Sequence, residues 1–304
     1  MNHPLVSVII LTYNNFHYLE QSIDSVLSQN YSNIELIISD DGSKNFNKTF
    51  VENYLSENLN ENIKDYSVIQ NKKNLGIVKN FNNSIKISNG EYIVPLDCDD
   101  CFYDENVIRS LVKEFLNTGA NIITGYMDEY DQSLKTFIQR SPNKSKLILF
   151  NNMDQLFEEL CRRNFIAGAC TSYSRKLFDK YGFLDESYTF LNDYPEFLRL
   201  ARLGEQIYFI HTTIIKYRLG GISTGKVINP AFEKDVNLVL RKEILPYREK
   251  ISPRLYRVKM YDYLRRTEKK VNLLLLSIKY FDVVVIKVMD RLKSFVGKYF
   301  VHKY

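Results

Sequence analysis

The sequence lacks the features that mark a small disulfide-stabilised protein or an integral membrane protein. Four cysteines in 304 residues are too few for a disulfide framework. The most hydrophobic window, residues 271–288, is interrupted by Lys279 and Asp282, whereas a membrane-spanning helix needs about 20 mostly apolar residues. No basic segment followed by an apolar core stands near Met1, so no signal peptide is predicted. These absences predict a soluble, intracellular protein that is at most membrane-associated.

The net positive charge of the chain comes from one segment. The whole chain has 41 Lys and Arg against 36 Asp and Glu. Residues 254–304 alone carry a net charge of +9, so the remainder of the chain is slightly acidic, at −4. We therefore assign the basic character to the C-terminal tail. Nucleic-acid binding is disfavoured, because this tail lacks the interleaved aromatic side chains that such binding usually needs.

Short apolar runs alternate with segments of helical spacing along the first 125 residues. Residues 6–11 and 34–39 are typical of strands buried on both faces, and residues 91–96 are a further predicted strand. Strands that alternate with helices on short connections predict a doubly wound, mostly parallel α/β sheet with helices on both faces. Ligands of such sheets bind beyond the carboxyl ends of the strands.

Acidic side chains cluster at two of these strand ends. Asp97, Asp99 and Asp100 follow one apolar run, and Asp40 and Asp41 follow another. Crowded carboxylates repel each other, and a divalent cation such as Mg²⁺ or Mn²⁺ would offset that repulsion. A solvated acidic turn that caps the next helix is an equally good interpretation of the first cluster taken alone. The second cluster is weak evidence in isolation, since Asp-Gly is a common turn dipeptide.

Five motifs, taken in order, resemble family 2 of the inverting glycosyltransferases, which have the Rossmann-like GT-A fold. They are Pro4 to Asn14 (PLVSVIILTYN), Ser25 to Gln29 (SVLSQ), Glu35 to Ser43 (ELIISDDGS), Asn74 to Gly76 with Lys79-Asn80, and Gly90 to Asp100 (GEYIVPLDCDD). The resemblance covers about residues 4–225. It implies an enzyme that moves a sugar from a nucleotide sugar, most simply a UDP-sugar, to an acceptor hydroxyl.

The resemblance places the nucleotide against the first strand ends. Thr12, Tyr13 and Asn14 would line the nucleotide pocket, with Tyr13 against the base. Asp41 would hydrogen-bond a uracil-type base.

The same resemblance places the diphosphate and the metal. Asn74, Gly76 and Lys79 would lie near the base and diphosphate. Asp97 would approach the ribose and share the metal site with Asp99, the ligand of the bridging Mn²⁺ or Mg²⁺. The chain has no glycine-rich phosphate loop, which agrees with a cation as the neutralising group.

The catalytic base is expected in the second half. Asp193 matches the family's catalytic acid, and Asn192 stands where Glu is common. Without the resemblance, we would interpret Asp193 as an ordinary helix N-cap. With it, Asp193 is the predicted general base, and Glu196 is the next candidate.

The segment Tyr217 to Thr224 resembles the family loop that closes over the donor diphosphate. Arg218 is therefore expected at the donor. Relatives often place His just after this Arg, whereas this chain has Leu219 and Gly220, which argues against a histidine metal ligand.

Apolar residues in the tail follow 4,3 spacing from Met260 to Tyr299. This heptad pattern is open to three interpretations: packing on the body, a helical dimer seam, or an interfacial helix on an anionic membrane. The uneven charge favours dimer or membrane contact.

We predict a GT-A domain over residues 1–228, with a nucleotide-sugar-binding half (1–125) and an acceptor half (126–228), and a basic helical region over 229–304. The predicted function is metal-dependent inverting transfer to a glycan or lipid-linked acceptor, in capsule, exopolysaccharide or cell-wall glycan synthesis. Its predicted place is the cytoplasm, at or near the inner face of the cell membrane. The alternatives are a sugar-nucleotide pyrophosphorylase, which should carry a glycine-rich N-terminal loop, and a non-catalytic carbohydrate-binding relative, which should have lost some acids.

Overall fold

A computed structural model describes residues 3–220, 230–267 and 273–301. The chain divides into two compact units, Met1–Asp235 and Val236–Tyr304. The strands are β1 (Val6–Thr12), β2 (Ile34–Asp40), β3 (Ile63–Gln70), β4 (Tyr92–Asp97), β5 (Cys101–Phe102), β6 (Ile122–Tyr130), β7 (Phe137–Ser141), β8 (Ser172–Ser174) and β9 (Ile207–Arg218). The helices of the first unit are α1 (Leu19–Leu27), α2 (Lys48–Asn58), α3 (Ile77–Ile87), α4 (Val107–Thr118), α5 (Met153–Arg162), α6 (Arg175–Tyr181), α7 (Tyr194–Arg202) and most of α8 (Pro230–Val239).

The described strands form one sheet in the order β3-β2-β1-β4-β8-β6-β9-β5, with β7 beside β6. The first four strands pair in parallel, as do β6 and β9. The short strands β5, β7 and β8 pair antiparallel. The α/β prediction is confirmed, and the parallel part of the sheet is the part that the sequence motifs outline.

The central strands β1 and β2 are buried on both faces, as their continuous apolar runs predict. Val8 and Ile10 of β1 belong to a core that also contains residues of α1 and α4. Ile9 points to the opposite face by strand alternation and is also fully buried. Helix α3 packs against β1 and β2 and buries Phe81. Each such buried side chain contributes about 1.5–3 kcal/mol, so the sheet is a rigid support for its strand ends.

The second unit is helical. Its α9 (Pro253–Thr267), α10 (Leu273–Lys279) and α11 (Phe281–Val301) follow two short irregular helices over Leu240–Ile244 and Leu245–Lys250. A buried cluster unites these three helices through Tyr261, Leu276, Tyr280 and Val283.

The heptad stripe of the tail reaches this cluster only on α9 among the described residues, where Met260 and Leu264 pack against it. On α10 and α11 the stripe residues Leu274, Ile278, Phe281, Val288 and Leu292 are more than half exposed. Val271, which belongs to the same stripe, lies outside the described residues. Among the described residues, no helix combines the length and the apolar character needed to cross a membrane.

Candidate functional site

The polar strand ends meet at one edge of the sheet. The register pairs Leu11 of β1 with Asp97 of β4, and Thr12 with Asp40 of β2. The three clusters that the sequence singled out therefore lie side by side, because parallel neighbours end at the same edge.

The loop after β1 is held by its own polar groups. The Thr12 hydroxyl donates to the Asn15 carbonyl oxygen at 3.1 Å, and the Asn14 N–H donates to Ser43 Oγ at 2.8 Å. Asn14 has a φ of 52°, a left-handed conformation that Asn tolerates better than most residues. Tyr13 is left 42% exposed, which keeps its ring available for stacking. Of the three predicted pocket residues, Tyr13 and Asn14 are thus exposed to solvent, whereas Thr12 is buried.

Asp41 holds the turn that contains two other predicted donor residues. Its Oδ1 accepts from the Leu75 N–H at 2.8 Å, and its Oδ2 accepts from the Gly76 N–H at 2.9 Å. The Asn74 Oδ1 accepts from the same Gly76 N–H at 2.9 Å. Burial raises the pKa of Asp41, although these hydrogen bonds and one from Asn71 oppose the shift. Asp41, Asn74 and Gly76 are thus brought together, and the predicted contact of Asp41 with a base stays a prediction.

Glycine is required where two turns of this edge approach each other. A Cβ on Gly42 would lie 2.4 Å from the backbone carbon of Lys73, and Gly42 has a φ of +77°. Any side chain there would separate the two turns. Lys79 lies farther out, half exposed, with its Nζ 3.8 Å from Glu186.

The turn after β4 concentrates negative charge. Asp97 is exposed, Asp99 is partly buried and Asp100 is buried. Enclosure by the surrounding protein, with Asp99 and Asp193 as neighbouring charges, raises the pKa of Asp97. Because Asp97 keeps an exposed face, water screens part of this effect. The pKa of Asp99 is raised by desolvation, against an opposing effect of Arg218.

These carboxylates suit a divalent cation. Desolvation, with Asp97 and Asp99 as like charges, raises the pKa of Asp100, and one oxygen of Asp100, Oδ2, is buried with no hydrogen-bond partner. Among the described residues, no three His, Cys, Asp or Glu side chains converge as an all-protein metal site does. Mg²⁺-type ions commonly take only one or two carboxylates and complete their shell with phosphate oxygens and water. The oxygen-rich turn with Asp97 and Asp99 fits that pattern.

Arg218 is a buried anchor of the acidic turn. Only 3% exposed, it donates from Nε to the Asp99 carbonyl oxygen at 2.7 Å and from Nη2 to Gln21 Oε1 at 2.8 Å. Its Nη1 donates to the Gln132 carbonyl oxygen, and its guanidinium lies 3.5 Å from the centre of the Tyr18 ring. Its predicted contact with the diphosphate stays a prediction. Residues 221–224 of the predicted closing loop lie outside the described residues.

Asp193 both caps a helix and interacts electrostatically with Asp97 of the acidic turn. Its Oδ1 accepts from the Tyr194 N–H at 2.7 Å at the start of α7. Desolvation raises the pKa of Asp193, while backbone hydrogen bonds from Tyr194 and Gly168 oppose the shift. Its charge in turn raises the pKa of Asp97. The structure thus brings the predicted base and the predicted metal ligands into one electrostatic environment.

Glu196, the alternative base, is engaged elsewhere. Its two oxygens accept from Arg199 Nε at 2.9 Å and Nη2 at 2.8 Å, and only 4% of Glu196 is exposed. Such a bidentate pair orients the carboxylate toward Arg199. The geometry therefore favours Asp193 over Glu196.

Sequence reasoning missed two residues of this edge. The Asn15 Nδ2 donates to Asp99 Oδ2 at 3.2 Å, and its place directly after the Thr12–Asn14 motif is a signal that could have found it. Asp235 reaches the loop before Asp193 from α8, and no motif surrounds it.

The mixed α/β sheet with helices on its faces fits the GT-A fold that the sequence motifs predict. A family model described as glycosyl transferase family 2 matches residues 7–182, more than half of the sequence. The chain belongs to this family. An uncharacterized glycosyltransferase of Rickettsia typhi is 31% identical over 225 residues, which are 73% of this chain and 66% of the relative. The chain thus spans slightly less than two thirds of that relative's length.

Two solved structures share the fold. Staphylococcus aureus TarS 1–349 in complex with UDP-GlcNAc has a TM-score of 0.60 at 17% identity, over 86% of this chain and 72% of that one. The mannosyltransferase PcManGT from Pyrobaculum calidifontis, in complex with GDP-Man and Mn²⁺, has a TM-score of 0.59 at 12% identity, over 99% and 82%.

Proposed function

We propose that the protein is a metal-dependent, inverting glycosyltransferase that uses a nucleotide sugar, with a UDP-sugar as the first choice. The observation that supports the proposal is the electrostatic coupling of Asp193 to the acidic turn, since the charge of Asp193 raises the pKa of Asp97. A base for the acceptor would then act in the same site as the carboxylates for the donor metal, which direct displacement requires.

The donor assignment draws on the structural neighbours and on the exposed polar edge. TarS is described with UDP-GlcNAc, and PcManGT with GDP-Man and Mn²⁺. In this chain we assign the binding of the nucleobase to Tyr13 and Asp41. We assign the binding of the diphosphate to the region of Asn74, Gly76 and Lys79. We propose a hexosyl or N-acetylhexosaminyl group as the transferred sugar.

Asp193 acts on the acceptor. Its carboxylate takes the proton from the acceptor hydroxyl as that oxygen forms a bond to the anomeric carbon. The bond from the anomeric carbon to the diphosphate oxygen breaks in the same displacement, so the anomeric configuration inverts. Burial raises the pKa of Asp193, which makes it a stronger base than a solvated aspartate.

Asp99, with Asp97, would hold Mn²⁺ or Mg²⁺ at the acidic turn. The bound ion would supply charge stabilisation to the leaving diphosphate. Asn15 and Arg218 keep the Asp99 carboxylate and backbone in place through hydrogen bonds of 3.2 and 2.7 Å. The two alternative functions gain no support from the site: the predicted acids are all present, and no glycine-rich loop stands after β1.

A donor panel tests this function. UDP-, GDP- and TDP-sugars are screened with and without Mn²⁺ for thermal stabilisation and for release of the nucleoside diphosphate. We expect one UDP-sugar to stabilise the protein only with the metal, and Asp99→Ala to abolish that gain. Asp179→Asn, an exposed carboxylate on α6, serves as the control. Metal-independent release at the full rate would contradict the proposal.

We propose that the helical region 229–304 brings residues 1–228 to an anionic membrane surface on the cytoplasmic side, where a lipid-linked glycan acceptor would lie. The exposed stripe with Leu274, Ile278 and Phe281 provides apolar contact, and the net charge of +9 over residues 254–304 favours anionic lipid over a second, equally basic copy.

Vesicle co-sedimentation tests this partner. The full chain should bind vesicles that contain anionic lipid, bind neutral vesicles more weakly, and lose binding in Ile278→Asn with Phe281→Asn. Leu116→Asn, an exposed apolar residue on α4, is the matched control and should bind normally. A stable dimer in sedimentation with no vesicle binding would contradict the proposal.

A further inference from the structure

The loop that carries the proposed base is anchored by a carboxylate from another part of the chain. Asp235 Oδ2 accepts hydrogen bonds from three consecutive backbone N–H groups, those of Thr189 at 2.9 Å, Phe190 at 2.7 Å and Leu191 at 3.1 Å. Asp235 is 1% exposed. Hydrogen bonds from amides to an ionised carboxylate are among the stronger ones in proteins, and three that converge on one oxygen fix the local backbone.

The anchored amides lie next to the base. Leu191 precedes Asp193 by two residues, and Asp193 starts α7. The backbone that leads to the base is therefore held on its N-terminal side by Asp235 and on its C-terminal side by a helix. From across the site, Gly168 approaches so closely that a Cβ there would lie 2.6 Å from Asp193 Oδ2.

The same loop touches the donor side of the site. A Cβ on Gly76 would lie 3.0 Å from the Thr189 carbonyl oxygen, and Gly76 belongs to the turn that Asp41 holds. Earlier in the loop, Asn82 of α3 donates to the Leu184 carbonyl oxygen at 2.9 Å and accepts from the Leu184 N–H at 3.1 Å. Asp235 thus anchors a segment that links the donor turn to the base.

We propose that Asp235 is a positioning residue for glycosyl transfer: its carboxylate holds residues 189–191 so that Asp193 meets the acceptor hydroxyl at a productive distance. This inference rests on the proposed function. Asp235 also lies well beyond residues 7–182, which the family model matches. The anchoring of residues 189–191 by Asp235 therefore lies in a part of the chain that the family model does not cover. A misplacement of about 1 Å at a catalytic group can cost roughly 10²-fold in rate.

Two variants and a control test the proposal. Asp235→Ala removes all three hydrogen bonds, whereas Asp235→Asn keeps an acceptor oxygen and should retain part of them. Glu233→Gln alters an exposed carboxylate on the same helix. The first measurement is amide hydrogen exchange, which needs no substrate. Protection at residues 189–191 should fall at least tenfold in Asp235→Ala, less in Asp235→Asn, and not at all in Glu233→Gln.

The second measurement separates positioning from folding. In Asp235→Ala, kcat for transfer should fall roughly 10- to 10²-fold, with the affinity for UDP and Mn²⁺ changed less than threefold, and Asp235→Asn should recover part of kcat. Normal protection at 189–191 in Asp235→Ala would overturn the proposal, and so would lost protection with an unchanged kcat. If Asp235→Ala does not fold, the same comparison is made between Asp235→Asn and the native chain. If Asp235→Ala loses protection at 189–191 but the native chain itself transfers no sugar, the proposed function is refuted and, with it, the positioning role of Asp235 in transfer.

Discussion

The two sides of the proposed site, one assigned to the donor and the other to the acceptor, are built in different ways. On the donor side, Asp41 and Asp99 stand within a few residues of strands β2 and β4, whose backbone hydrogen bonds to neighbouring strands fix their positions. On the acceptor side, Asp193 stands at the end of a loop that is held by distant residues, among them Asp235 and Asn82. The donor side is thus set by local sequence, whereas the acceptor side depends on contacts that join separate parts of the chain.

Removal of Asp99, the proposed metal ligand on the donor side, should have a large effect on both binding and rate. Asp99→Ala should lower turnover by roughly 10²–10³-fold and abolish Mn²⁺-dependent UDP binding, because the leaving diphosphate loses its charge stabilisation. Calorimetric titration of UDP with Mn²⁺ checks the binding. Unchanged metal-dependent binding would move the metal ligand away from Asp99.

A change on the acceptor side should separate rate from binding. Gly168→Ala would place a Cβ 2.6 Å from Asp193 Oδ2, so the base must shift and transfer should fall by about 10- to 10²-fold. UDP affinity should be unchanged. Gly182→Ala, whose Cβ would meet nothing within 4 Å at a φ of +77°, should cost about 1 kcal/mol of stability and no activity. Equal transfer rates in the two variants would contradict the close approach of Gly168 to the base.

The variant Arg218→Ala tests whether Arg218 stabilises the fold or contacts the donor. Arg218→Ala removes three side-chain hydrogen bonds and the stack on Tyr18. The free energy of unfolding, measured in denaturant, should therefore fall by about 2–4 kcal/mol. Arg163→Ala, on an exposed side chain, should change stability little. If Arg218→Ala keeps its stability and loses only nucleotide affinity, the diphosphate contact that the sequence predicts is correct instead.

The pH dependence of transfer should be the mildest effect. Burial raises the pKa of Asp193 from 3.8, and the base acts only when ionised. As the pH falls through this raised pKa, Asp193 is protonated and kcat declines, whereas at higher pH kcat is flat with respect to this group. The decline of kcat on the acid side of its pH profile should therefore lie at a higher pH than for an exposed aspartate. A decline centred at or below pH 3.8 would contradict the burial of Asp193.

The sequence was most informative where a motif and its position in the fold coincide. The apolar runs predict buried strands, and polar residues directly after them must lie at the strand ends, so the shared edge of Thr12, Asp40 and Asp97 could be predicted. Asp235 could not, because it binds backbone amides that lie 44–46 residues earlier and that any residue type would present.

The sequence also did not predict which way individual side chains point. The pattern around Arg218 does not reveal that its guanidinium points into the protein, since three of its partners are separated from it by 86 to 197 residues. Likewise, 4,3 spacing in the tail predicts one apolar stripe but not which residues it contacts. In the structure, Leu276 and Val283, which stand off that stripe, are buried, while Ile278 on the stripe is exposed.

The most direct test of the account is Asp193→Asn, measured for donor binding and for transfer in parallel. Asn can still accept the Tyr194 N–H as a helix cap, so the fold should persist. The affinity for UDP with Mn²⁺ should stay close to that of the native chain, while the transfer rate falls by about 10²–10⁴-fold. Near-normal transfer in Asp193→Asn would contradict the central claim that this carboxylate is the base.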